Sequence, residues 1–534
     1  MQLSKITVNN YRSIEKETIA LTPVDGARCF GLLGINESGK TSLLKAISLI
    51  HMPAIVNINY LDDCFETAKG RLENIEVEYF FELEADEKKY IKSILRTNFK
   101  LTEKVNIETL ISNIVITIIH NEKAERLVRI QFRQPTSVTG NRIVFKITDK
   151  EGNVVEENTT QEVVQEKYSN DKFTSEAITS KGPEALDKYL INVFSDYITG
   201  RIPEIVLWRG EEKYYIPNEA LLDEFAANPE EVSIPLKNCF QLAGVERDKI
   251  AEKVNILKSN ASERKKFEDA LFKEVNKHIK NTWKDQKADL HFDITESKIS
   301  CLVKDEKEEA ETSEYIKPSL RSDGFRRMVS FLLTISANNT NGILENTVLL
   351  LDEPEASLHP TSQEYLRSEL VKIARTKNNI VVYATHSPFM IDRDDLSRNY
   401  RVKRNKSDNA VLKTEIEKID SKKSSYSEIN YIVFDIATND YHNELYGYLH
   451  QKFIDGASDK EEEKKRSYIL EFDKTLVNLA YKISKDRIWK EQPNGCTLTT
   501  YVRNCIDHPE NGNKFTPIEL ERSIKYLRYL KYEK

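Results

Sequence analysis

Eight residues constrain this chain more than any other stretch of it. Gly34-Ile35-Asn36-Glu37-Ser38-Gly39-Lys40-Thr41 fills the spacing G-x-x-x-x-G-K-[ST] completely. The apolar run Arg28-Cys29-Phe30-Gly31-Leu32-Leu33 precedes it. Leu43, Leu44, Ile47 and Ile50 follow at helical spacing and predict a helix from Thr41 to about Met52. Strand, glycine turn and helix is the order that lets backbone N–H groups close around phosphate oxygens, with the helix N-terminus adding partial positive charge. Gly34, Asn36, Ser38, Gly39 and Ser42 are the candidate phosphate contacts. Lys40 supplies a point charge to the β- and γ-phosphates, and the Thr41 hydroxyl faces a magnesium ion. Only 17 of the 534 residues are glycine, about 3% against a usual ~7%, so the spacing is no by-product of a glycine-rich chain.

That length allows two to four domains. Charged residues make up 31% and apolar ones 39%, which excludes a collagen, a low-complexity linker and a wholly disordered chain. The 79 basic and 86 acidic residues leave a formal charge of −7, too balanced for overall charge to predict nucleic-acid binding. Cys29, Cys64, Cys239, Cys301, Cys496 and Cys505 show neither zinc-ligand nor redox spacing and read as reduced thiols. No charged leader opens the chain, and no run approaches the roughly 18–20 apolar residues of a membrane span. A cytoplasmic protein without membrane contact is expected.

Residues 3–8 and 75–83 alternate as strands. Val348-Leu349-Leu350-Leu351 and Ile380-Val381-Val382-Tyr383 are continuous apolar runs of the kind buried on both faces of a parallel sheet, each preceded by a helical stretch. The fold class is α/β. The expected organisation is a nucleotide-binding lobe at 1–85, a large mixed insertion at 86–315, a second lobe at 316–430 and a helical domain at 431–534. A turn is expected at Glu151-Gly152-Asn153. Ile469, Phe472, Leu476, Leu479, Ala480 and Ile483 share one helix face. Thr516, Pro517 and Glu519 cap the last helix, and the charged run Asp459 to Arg466 reads as a solvated face.

Leu349-Leu350-Leu351-Asp352-Glu353 has the form of a Walker B strand. Asp352 would hold Mg2+ through its water shell, and Glu353 would polarise the attacking water as general base. Lys40 and Asp352 lie 312 residues apart, further than in compact GTPase-like folds. Arg321-Ser322-Asp323-Gly324-Phe325 stands before this strand, Ala356-Ser357-Leu358-His359-Pro360 follows the acids, and Ala384-Thr385-His386-Ser387 closes the next strand. In order and spacing these resemble the signature, D-loop and switch histidine of the ABC ATPases. The resemblance implies an ABC-type P-loop head binding ATP and Mg2+, and a homodimer or higher even oligomer. It implies that Ser322 and Gly324 face the γ-phosphate held by the partner protomer and that His386 contacts the same phosphate in cis. Arg321 and Asp323 depart from the family's Leu-Ser-Gly-Gly. Gln131 and Gln134 are both open as the Q-loop glutamine.

The opening Leu3-Ser-Lys-Ile-Thr-Val-Asn-Asn-Tyr-Arg-Ser-Ile14 and the phrase Asp352-Glu-Pro-Glu-Ala-Ser-Leu-His-Pro360 resemble the RecF/SMC/OLD-like branch, which implies that Arg12 lies near the nucleotide. No equivalent of the Toprim nuclease of OLD proteins is evident after His386. The chain thus looks similar to stand-alone ATPases of bacterial anti-phage systems, which work with a separate nuclease or toxin effector. Near the C-terminus, Arg503-Asn504-Cys505-Ile506-Asp507-His508 resembles the R-x4-6-H motif of HEPN ribonucleases, with His508 activating a ribose hydroxyl and Arg503 stabilising phosphate charge. Five residues on a continuous helix turn the two side chains apart, and Pro509 favours a helix end at His508. The alternatives are therefore an ATPase-gated ribonuclease toxin and a RecF-type DNA repair ATPase. For the latter, Arg264-Lys265-Lys266, Arg401 to Lys406 and the tail near Lys525 are the basic clusters that could touch phosphates.

Overall fold

The computed structural model describes residues 1–51, 56–99, 113–123, 125–133, 144–148, 154–159, 166–169, 172–175, 194, 196–283, 287–305, 315–336, 345–376, 378–393, 395–406, 412–419, 424–480, 489–490 and 496–532. Gln134, Ile483 and the expected turn at 151–153 lie outside them. The chain forms two compact units. One comprises Met1–Ile391 with Ser397–Ile419, and the other Asp392–Leu396 with Asp420–Lys534.

A six-stranded sheet organises the first unit, in the order Glu204–Trp208, Thr347–Asp352, Ile380–Thr385, Cys29–Leu33, Asn399–Lys406, Leu412–Lys418. The first five strands run parallel and the last is antiparallel. Successive side chains of a strand face opposite ways, and this sheet separates two cores accordingly. Phe30, Leu32, Val348, Leu350, Val382 and Ala384 face one core, which also holds Leu43, Leu44 and Ile47 of the helix Lys40–Ile47. Cys29, Leu349, Leu351, Val381 and Tyr383 face the other, with Phe240, Leu271, Val329, Leu332, Leu366 and Leu370. A second, antiparallel sheet built on Gln2–Tyr11 and Ile75–Glu82 closes the first core.

Two differences from expectation concern this unit. The stretch 86–315 is not only an insertion, because Glu204–Trp208 pairs in parallel with Thr347–Leu351 and extends the central sheet. Residues 113–120 and 126–133 likewise extend the antiparallel sheet. The helix predicted to reach Met52 ends at Ile47 and continues as a 3-10 turn over Ser48–Ile50. There the Tyr79 hydroxyl, fully buried, lies 2.8 Å from the Ala46 carbonyl and 3.1 Å from that of Ile47, so the last turn has a donor from the neighbouring sheet.

The second unit is largely helical, with a core of Tyr441, Leu445, Phe472, Leu476, Val502, Ile524 and Leu527. Thr516 and Glu519 form a reciprocal capping box on the helix Pro517–Tyr532. No residue of the helix Lys460–Arg466 is buried, as a solvated face requires. Among the described residues no helix is long and apolar enough to cross a membrane.

Candidate functional site

Strand register assembles the site. Leu33 stands beside Thr385, and Ala384 beside Asp352, so the three chain segments that follow these strands leave the sheet at one carboxyl edge. That edge is where open α/β sheets bind ligands. The phosphate loop fills it as a tight turn. A Cβ on Gly34 would overlap the Val402 carbonyl oxygen, and a Cβ on Gly39 would sit 2.5 Å from Thr414 Oγ1. Gly39 also has φ 108°, a conformation open to glycine. Thr414 holds the loop from behind. Its hydroxyl lies 2.7 Å from that of Ser13 and donates to the Ser38 carbonyl at 3.2 Å.

Lys40 is 5% exposed, and its Nζ donates to the carbonyls of Gly34 at 2.8 Å and Ile35 at 2.9 Å. Among the described residues no carboxylate pairs with it. Burial pushes its pKa below the usual lysine range, against the pull of Glu353, Asp352 and Glu355. The Thr41 hydroxyl reaches both carboxyl oxygens of Asp352, at 3.0 and 2.9 Å. Burial raises the Asp352 pKa, opposed by that hydroxyl hydrogen bond and reinforced by Glu353. A buried ammonium and a buried carboxyl, each shifted toward its neutral form, are the state of a site whose counter-charges arrive with a ligand. An anion at Lys40 and a cation at Asp352 would reverse both shifts. Ser38 Oγ, buried in the loop, is also unpartnered among the described residues. Asp352 and Thr41 offer at most three oxygens, so Mg2+ there fits best with a nucleotide's own phosphate oxygens and water completing the shell.

Glu353 follows at φ 51°, its N–H bonded to the Ala384 carbonyl at 3.0 Å. Its side chain leaves the sheet edge and meets His386, with Nδ1 3.2 Å from Oε1. Both are partly exposed, which suits a pair that must reach water. An open cleft of about 760 Å³ lies in front of the loop. Arg12, Asn36, Ser38, Gly39, Lys40, Thr41, Ser42 and Glu353 line it, together with Arg404. Arg12 is held there by Asp63, Nε to Oδ1 at 2.7 Å. Gln131 lies on the outer strand Arg126–Arg133.

Ser322 and Gly324 open the helix Asp323–Ser336 and do not line this cleft. The Ser322 hydroxyl accepts the Phe325 N–H at 3.3 Å. Arg321, the departure from the leucine of the ABC signature, makes two hydrogen bonds to Asp305, at 2.9 and 2.7 Å, which anchor the helix start to the strand Lys298–Asp305.

A family model described as AAA ATPase domain, AAA_15, matches residues 1–391. The chain belongs to this family. The AAA_15 portion ends at the last residue before the chain first enters the second unit. Among curated proteins, an uncharacterized protein of Methanocaldococcus jannaschii is 28% identical over 127 residues, 23% of this chain and 32% of that protein. The Old nuclease of Escherichia phage P2 is 25% identical over 114 residues, 21% of this chain. The match spans 19% of the Old nuclease, so the chain covers a third or less of either relative. Similar solved structures include an SMC head bound to the C-winged helix domain of ScpA, 10% identical, covering 78% of this chain and 98% of that one at TM-score 0.38. The SMC head domain from Thermotoga maritima is 13% identical, covering 79% and 100% at TM-score 0.33. The family match and the complete phosphate loop together give the first unit an ATPase role.

The structure does not bring Arg503 and His508 together by any hydrogen bond among the described residues. Arg503 pairs with Asp507 at 2.8 Å, and His508, at the end of the helix Leu498–Asp507, pairs with Glu510 at 3.2 Å. Sequence reasoning passed over Thr414 and Asp63. Each acts across the fold, and neither stands in a motif.

Proposed function

We propose that the chain is an ATP-hydrolysing head that dimerises on nucleotide and controls a separate nuclease or toxin effector in bacterial anti-phage defence. One observation carries the hydrolytic part: Lys40, Thr41 and Glu353 line one cleft, with Asp352 hydrogen-bonded to Thr41 and His386 to Glu353. Bound Mg2+·ATP would supply the electrophilic γ-phosphorus and the ion that offsets its charge. Lys40 and the loop N–H groups would hold the phosphates, and Asp352 and Thr41 would hold the ion. Glu353 takes the proton of the attacking water, and His386 orients the carboxylate that does so.

Dimerisation is supported by the signature helix. Ser322 and Gly324 present a helix start outside their own cleft, where a second head's phosphate could meet them. Control of a separate effector is supported by the resemblance to the stand-alone defence ATPases and by the partners found for Arg503 and His508, which suit a docking helix. The basic run of Arg264, Lys265 and Lys266 faces Glu296, Glu268 and Glu263, so its charge is largely offset, which disfavours the DNA-repair alternative.

The test is Glu353→Gln. Removing a general base costs about 10²–10⁴ in rate, so the variant should bind ATP, turn over slowly and accumulate as a dimer seen by light scattering. Hydrolysis at the wild-type rate would refute the assignment of the base. For the defence role, E353Q expressed with its native gene neighbourhood should lose protection against phage, and unchanged protection would count against it.

A further inference from the structure

Beside the cleft, a row of hydrogen bonds ties the segment carrying His386 to the turn that follows Glu353. Ser387 Oγ donates to Gln363 Oε1, and Gln363 Nε2 donates to the Leu358 carbonyl at 2.8 Å. The same Ser387 hydroxyl accepts the Phe389 N–H at 3.2 Å, and the Ser387 N–H donates to Thr385 Oγ1 at 3.0 Å. Thr385 in turn donates to the buried Glu355. His386 is therefore flanked on both sides by residues whose hydroxyls are engaged.

The other end of this row meets the signature helix. A Cβ on Gly324 would sit 2.5 Å from the Ser357 carbonyl oxygen and 3.3 Å from Leu358 Cδ2. Gly324 places no side chain of its own between the start of that helix and the turn. Ser357 itself has φ 68°, so the turn is held in a form that few residues adopt. Gln363 stands in the first turn of the helix Pro360–Ala374 and is the link between the two segments. Its planar amide uses its two ends in opposite senses, accepting from a hydroxyl and donating to a carbonyl. A carboxylate could do only the first, and an alkyl side chain neither.

We infer that Gln363 is a positioning residue through which the Ser357–Leu358 turn sets the placement of His386 against Glu353. The inference rests on the hydrolytic reading of the cleft and adds its regulation. A ligand that shifts the helix start at Ser322 and Gly324 moves the Ser357–Leu358 turn, and Gln363 transmits that shift to the base pair of the same head. Hydrolysis in one cleft thereby depends on what occupies the signature surface of the same chain.

The experiment measures ATP hydrolysis and the binding of a fluorescent ATP analogue for wild type, Gln363→Leu, Gln363→Glu, His386→Ala and the double variant Q363L/H386A. Q363L should lower kcat about tenfold or more, with KM and analogue affinity within about twofold, because a misplaced catalytic group slows chemistry without touching the phosphate loop. Q363E keeps the acceptor for Ser387 and should fall between Q363L and wild type, with a thermal midpoint close to wild type. In the H386A background Q363L should add no further loss, as residues acting through one contact are not additive. A wild-type kcat in Q363L overturns the inference. So does a loss that multiplies with that of H386A, or a parallel loss of analogue affinity. If wild type hydrolyses no ATP, the reading of the cleft falls and this inference with it. If wild type hydrolyses and Q363L matches it, only the inference falls.

Discussion

Glu355 sits three residues beyond Asp352 and is 2% exposed. The Thr385 hydroxyl donates to one of its oxygens, and the other has no partner among the described residues. Burial pushes its pKa from 4.5 up to about 7, against the hydrogen bond from Thr385 and the nearby His386. The folded chain therefore holds this proton more tightly than the unfolded chain does. The stability that comes with it is fully present below pH 4.5 and is lost as pH rises through 7. Across that window the loss is on the order of 3 kcal/mol. Glu355→Gln keeps the shape of the protonated acid and cannot ionise. The variant should match wild type within about 1 kcal/mol at pH 5 and exceed it by on the order of 3 kcal/mol at pH 8, about 3–6 °C in melting midpoint. Differential scanning fluorimetry from pH 5 to 8, without nucleotide, reads the gap directly. A gap that stays constant across the range would show that Glu355 does not hold its proton in the folded chain.

Four further outcomes follow from the geometry. Lys40→Ala should cost about 2–5 kcal/mol of nucleotide affinity, at least ~30-fold in equilibrium titration with a fluorescent analogue. Thr41→Val removes the hydroxyl that serves the Asp352 carboxyl, so the ligand-free chain should lose about 1.5–3 kcal/mol in denaturant unfolding, and Thr41→Ser should restore most of it. Gly324→Ala sets a Cβ against the Ser357 carbonyl, and should depress steady-state hydrolysis while leaving analogue binding unchanged. Arg503→Ala and His508→Ala should keep wild-type hydrolysis and phage protection, with stability changed by no more than about 1 kcal/mol. Loss of protection in both would revive the ribonuclease alternative.

What could be read from the sequence was local. The phosphate loop, the acids at 352 and 353 and the histidine at 386 each end a continuous apolar run, and such runs become the central strands of a sheet with both faces covered. The contacts that complete the site were not local. Thr414 stands among Lys413, Glu415 and Glu417 in a strand whose alternation says nothing about a glycine turn far away in the chain. Asp63 reaches Arg12 across 51 residues. The strand Glu204–Trp208 is only five residues long and lies within a stretch of mixed character, so its place at the edge of the central sheet was decided by tertiary pairing. Its apolar Ile205-Val206-Leu207-Trp208 was the one available signal.

The hairpin of Asn399–Lys406 and Leu412–Lys418 bears on where this ATPase can be divided. Every recognisable ATPase motif lies before Ile391, and the family match ends there. Yet the wall behind Gly34 is Val402, and the wall behind Gly39 is Thr414. A fragment cut at Ile391 would carry the whole vocabulary of a nucleotide site around a loop with nothing to lean on. One cut at Ile419 keeps the hairpin. The smallest working piece of the chain is thus longer than its signature, and its last strand serves the loop that comes almost first.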